Sequence, residues 1–75
     1  MTIEESLKII QSFLEKLKKE IDVTCSFSIK GEIKNITYDA ATKTLSEPFP
    51  NPEDTDNGMV MLIPYLDTRS IKVKF

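Results

Sequence analysis

Asp54-Thr55-Asp56-Asn57-Gly58 is the segment whose residue types and spacing come closest to a chemistry, the binding of calcium by a loop of oxygen ligands. An EF-hand loop takes ligands from positions one, three and five, turns on a glycine at six and closes on a glutamate at twelve. Counted from Asp54, the glycine falls at five and Tyr65 stands at twelve. The spacing fails. The segment reads as a solvated acidic turn, and neither a metal nor a cofactor is expected.

Other reactive chemistry finds no set of residues. Cys25 would need a base beside it to act as a nucleophile, and the chain has no histidine. It also falls in the middle of an alternating apolar run, where an inert, buried thiol is expected. No serine sits in a Gly-x-Ser-x-Gly elbow, and two glycines are too few for a phosphate-cradling loop. With twelve acids in the chain, a pair of carboxylates can be picked out almost anywhere and carries no weight. The chain is not expected to be an enzyme. Asn35-Ile36-Thr37 spells a glycosylation sequon, which has no use in a cytoplasmic protein.

Lysines offer a second function class. Lys30, Lys34, Lys72 and Lys74 could share the outer face of a sheet, and Lys16, Lys18 and Lys19 end a helix. Single-strand binders interleave such charges with exposed aromatics for base stacking. Here the strand aromatics fall on the apolar side, apart from Tyr38, whose face the pattern leaves open. Outward lysines on strands also serve to discourage edge-to-edge aggregation. Nucleic-acid binding is therefore the alternative rather than the leading reading.

Composition bounds the rest. Seventy-five residues, 40% hydrophobic and 29% charged with a net charge of −2, describe one small folded domain with no strong electrostatic bias. A single cysteine excludes an internal disulfide. Glu4 and Glu5 stand where a signal peptide would be basic, and no apolar run reaches the length of a membrane span. A cytoplasmic protein without a membrane partner is expected.

Apolar spacing predicts a helix over 2–21. Ile3, Leu7, Ile10, Leu14, Leu17 and Ile21 recur every three or four residues, and Ile9 and Phe13 broaden the seam. Thr2 and Glu5 form a capping box, with acids at the start and lysines at the end as the helix dipole favours. Strands are predicted near 23–29, 33–38, 43–47, 59–63 and 70–75. Val23, Cys25, Phe27 and Ile29 alternate with polar residues, as do Ile71, Val73 and Phe75. The apolar phase slips between Ile33 (odd) and Ile36 and Tyr38 (even), which calls for a bulge or a four-residue turn near Lys30-Gly31. Residues 46–57 carry Pro48, Pro50 and Pro52 with Glu47, Glu53, Asp54 and Asp56, an acidic loop that cannot lie inside a sheet. The fold class is α+β: one N-terminal amphipathic helix packed across a mostly antiparallel sheet of four to five strands, in a single domain over 1–75.

Within that frame, Met59-Val60-Met61-Leu62-Ile63 is apolar on both faces of its strand. One helix covers only one face, so the other needs a second cover. Two covers are open: the acidic loop folding back with Phe49 on the outer face, or another chain. The leading expectation is a non-catalytic protein-interaction domain, an adaptor, accessory subunit or inhibitor of a kind that phages and mobile elements also encode. Its partner is a protein, with a second copy of the chain among the candidates. The expected contact residues are Phe49, Glu53, Asp54 and Asp56 of the loop, with Met59, Val60, Met61 and Leu62 of the strand.

Overall fold

The computed structural model describes residues 1–75 as one helix, five strands and a short 3-10 turn. Helix α1 (Ile3–Leu17) starts on the capping box: the Glu5 amide donates to Thr2 Oγ1 at 3.1 Å, and the Thr2 amide donates to Glu5 Oε1 at 3.0 Å. It stops four residues before the predicted end. Lys18 adopts a left-handed backbone with φ 56°, its amide donates to the Glu15 carbonyl, and the Lys19 amide reaches back to Leu14. That is a Schellman ending without its usual glycine. Ile21 continues the helical spacing although it lies in the connector, because it packs on the core from there. Periodicity records which positions are apolar and not which amides close helical bonds. No helix is long and apolar enough to cross a membrane.

The sheet is antiparallel throughout, in the order β3-β2-β1-β4-β5: β1 Val23–Ile29, β2 Glu32–Asp39, β3 Thr44–Leu45, β4 Met59–Pro64 and β5 Ile71–Lys74. β1 and β2 meet through a two-residue turn in which Lys30 and Gly31 both have positive φ, 51° and 78°. Such a turn matches the twist of the strands it joins. Register then runs unbroken from Ile29 opposite Glu32 to Val23 opposite Tyr38. The predicted bulge or longer turn is absent. Ile33 is out of phase because it faces away from the core, 67% exposed, while Ile36 and Tyr38 face into it.

β3 is two residues long rather than the five predicted, since the prolines that follow turn the chain inward. β4 carries Pro64 at its end opposite Val23. The ring does no harm there, because its missing N–H would point beyond Ile71, the first residue of β5.

All of the core lies on one side of the sheet. Ile10, Phe13, Leu14 and Leu17 of α1 meet Val23, Cys25, Phe27, Ile36, Tyr38, Val60 and Leu62. The loop 46–57 crosses the same side, from β3 at one edge to β4 beyond β1. Phe49 is its anchor, 1% exposed and edge-on to Phe27 and Phe75 with ring centroids 5.0 and 6.3 Å away. Its amide donates to Ser6 Oγ at 2.9 Å, and that hydroxyl in turn donates to the Thr2 carbonyl. Phe49 therefore extends the cover that α1 provides and does not reach the outer face.

Truncating Phe49 to alanine should destabilise the fold by about 3–5 kcal/mol, as for other buried phenylalanines. Ser6→Ala should cost about 1–3 kcal/mol, because it strands the buried Phe49 amide. Urea denaturation measures both. A loss below about 1 kcal/mol in Phe49→Ala would show that the loop does not close the core.

Candidate interaction surface

Pairing register defines the face of the sheet opposite the helix. Ile33 lies across from Ser28, Ser26 from Met61, Thr24 from Ile63, Met61 from Lys72 and Met59 from Lys74. The central strand contributes only the short side chains Thr24, Ser26 and Ser28. Longer side chains on both neighbours make it the floor of a shallow trough. One hollow in it, about 150 Å³, lies among Ser26, Ser28, Ile33, Met59, Met61 and Lys72. No helix or loop lies over it.

Past β4 the apolar surface continues into a turn. Tyr65 is 65% exposed and Leu66 is 87% exposed, the latter with a left-handed backbone at φ 54°. A leucine is disfavoured in that region by about 1–2 kcal/mol, so its neighbours must hold it. The Tyr65 amide donates to the Asp22 carbonyl at 2.8 Å. Asp67 accepts from the Arg69 guanidinium at 2.8 Å, the Arg69 amide at 2.8 Å and Lys19 Nζ at 3.1 Å. These groups, the guanidinium foremost, hold the Asp67 carboxyl well below the usual carboxylate range. The turn is thereby tied to the end of α1.

The eight residues expected to meet a partner divide into four groups. Phe49, Val60 and Leu62 are core residues, buried on the helix side, and the folded chain cannot present them. This corrects the expectation that Val60 and Leu62 meet a partner: they point in, while Met59, Met61 and Ile63 point out. Met59 and Met61 remain on the accessible face, half-buried. Glu53 and Asp54 stand exposed in the 3-10 turn Pro52–Asp54.

Asp56 turns inward on the loop. Its carboxylate accepts from Ser28 Oγ at 2.7 Å, the Lys30 amide at 2.8 Å and the Gly31 amide at 3.0 Å, capping the β1–β2 turn. Those donors, the Gly31 amide first, lower its pKa from the ordinary carboxylate value. With Asp56 used this way, the acids of 54–58 do not converge on a common point. Burial pushes the Cys25 thiol up to about 12, where it stays protonated.

The lysines do not gather either. Lys34 faces the helix side, where it pairs with Glu47 at 2.9 Å, and Lys19 is engaged by Asp67. Lys30 sits in the hairpin turn, which leaves Lys72 and Lys74 on the outer face. Four surface residues were not among the expected contacts: Ile33, Ile63, Tyr65 and Leu66. Ile33 was signalled by its phase slip, and Tyr65-Leu66 by two large apolar residues between a proline and the turn residue Asp67.

No family model, characterised protein or solved structure matches the chain.

Asp56 makes the hairpin sensitive to acid. Because its pKa is lower folded than unfolded, its stabilisation is present above the ordinary carboxylate range and is lost as pH falls through the folded value. Asp56→Asn should melt below wild type at about pH 7, with the gap closing towards about pH 2. Thermal melts followed by circular dichroism test this. A gap that persists in acid would mean that the carboxylate charge is not what holds the turn.

Proposed function

We propose that this chain is a non-catalytic protein-interaction domain that binds its partner on the sheet face opposite the helix. The supporting observation is the uncovered apolar strip Ile33, Met59, Met61 and Ile63, continued by Tyr65 and Leu66. Contiguous apolar surface of this kind is uncommon on proteins that act alone. Methionines suit it, since their unbranched, polarisable side chains adapt to the surface they meet. Lys72 and Lys74 border the strip on β5, so the partner is expected to bring apolar side chains to the trough and acids to that rim.

Leu66 adds a second strand of support. A strained residue with 87% of its surface in water contributes nothing to the core, and strain of this sort is commonly retained for binding. The exposed Glu53 and Asp54 lie outside this strip. Their role in the proposal is to steer a partner with a basic region during encounter.

Two substitutions separate binding from stability. Ile63→Lys should fold with a stability within about 1 kcal/mol of wild type, because the side chain is already partly in water. Leu66→Gly should be as stable as wild type or up to about 1 kcal/mol more so, since glycine relieves the backbone strain. Both should weaken the partner at least about tenfold. The wild-type chain and both variants serve as bait in the source cell, and the protein that wild type alone retains is then titrated in purified form. A capture profile identical for all three would overturn the reading.

Charge reversal at Glu53 and Asp54 should slow association with that partner, and the difference should shrink as salt is raised. Stopped-flow or surface-based kinetics measure it, and unchanged rates at low salt would remove the loop from the proposal.

A further inference from the structure

β2 is eight residues long and β3 covers only its end. The Ser46 amide donates to the Thr37 carbonyl, and the Thr37 amide donates to Ser46 Oγ, so Thr37 directs its backbone groups away from β1. In an antiparallel strand that direction alternates. Ile33 and Asn35 must therefore turn their amides and carbonyls to the same side as Thr37, where β3 has already ended. The loop after Ser46 turns inward beneath the sheet, and Glu47 reaches Lys34 there. From Glu32 to Asn35, β2 is an unpaired edge.

The side chains along this edge are self-complementary. Glu32 and Lys34 flank Ile33 and share the helix-side face, while Ile33 points to the other face, 67% exposed. We propose that this edge pairs antiparallel with the same edge of a second copy of the chain, about a two-fold axis through Ile33. The two Ile33 residues then exchange both backbone hydrogen bonds. Glu32 falls opposite Lys34 of the second copy, and Lys34 opposite its Glu32. Opposite charges in directly facing positions favour a pairing, and like charges disfavour it. The two isoleucine side chains meet on the outer face and leave water together.

Neither neighbouring register serves: a two-fold centred on Glu32 would set the two glutamates face to face, and the one centred on Lys34 fails on two grounds. A two-fold centred on Lys34 would set the two lysines face to face. It would also bring Gly31 of the second copy opposite Thr37, a place that Ser46 already occupies. Centred on Ile33, the second copy's turn comes level with Asn35 and stops short of β3. A ladder this short buries far less than a standard interface, so the association is a weak one that assembles as concentration rises. It uses the edge of the sheet and takes only Ile33 from the outer face, so Met59, Met61 and Ile63 of each copy stay open to the proposed partner.

Sedimentation equilibrium up to millimolar protein tests the pairing. Wild type should dimerise, while Glu32→Lys and Lys34→Glu alone should each weaken the dimer at least about tenfold, since each sets like charges opposite one another twice. An equimolar mixture of the two variants should regain dimer, because both facing pairs are then of opposite charge. In wild type the amide resonance of Ile33 should shift with concentration, a readout that needs no variant. A wild type that stays monomeric, a dimer that survives both single variants, or a mixture that fails to recover would each overturn the proposal. So would a dimer that Ile63→Lys dissociates while the Ile33 amide stays unmoved, since that pattern belongs to the outer face.

Discussion

A helix with its side chains is about 10 Å across, whereas five strands at about 4.8 Å spacing make a sheet roughly 19 Å wide. α1 cannot cover such a sheet by itself, and what covers the remainder decides most of this structure. The answer is Phe49, set beside the helix among Phe27 and Phe75 and fastened to it through Ser6 Oγ. The length of the loop follows from the same constraint. It must carry the chain from β3 over β2 and β1 to β4, three strand spacings or about 14 Å, and place an aromatic ring on the way. Prolines at 48 and 50 keep that path extended before Pro52 opens the 3-10 turn, at little cost in a segment with no ladder to join.

Completing the cover on one side leaves the other bare. With the helix and the loop both spent on the core face, the outer face has only its own side chains: short hydroxyls along β1 and apolar residues to either side. The same loop consumes charges that looked free. Asp56 holds the hairpin turn and Glu47 holds Lys34, so much of what reads as an acidic, presentable segment is internal fastening. Asp67 does similar work at the opposite end, gathering Arg69 and Lys19 to brace the turn that displays Leu66. A small domain with a thin core spreads its stability over such ties, because apolar burial alone supplies little surplus at this size.

Local features were legible in the residues. The capping box, the alternation of β1 and the single-helix α+β plan rest on spacing, and spacing survives folding. Ile21 misled because the connector packs an apolar residue at a position that also suits the helical period. Ile33 misled in the opposite sense, looking like a slip in register when it was a residue on the other face. Both errors arise from reading apolar character as a sign of one particular neighbour, when it reports only that some neighbour exists.

By itself, the sequence determined that one strand would be apolar on both faces and that one helix would serve the sheet. Those are properties of residue type and period, which act over a few residues. It could not determine that Val60 and Leu62 face inward while Met59, Met61 and Ile63 face out, because both faces of the strand are equally apolar. Nor could it assign Phe49 to the helix side or Asp56 to a turn twenty-five residues earlier. Those outcomes depend on which strand pairs with which, and pairing is set by contacts between distant parts of the chain. The tertiary structure thereby chose which half of the apolar strand was buried and which was left on the outer face.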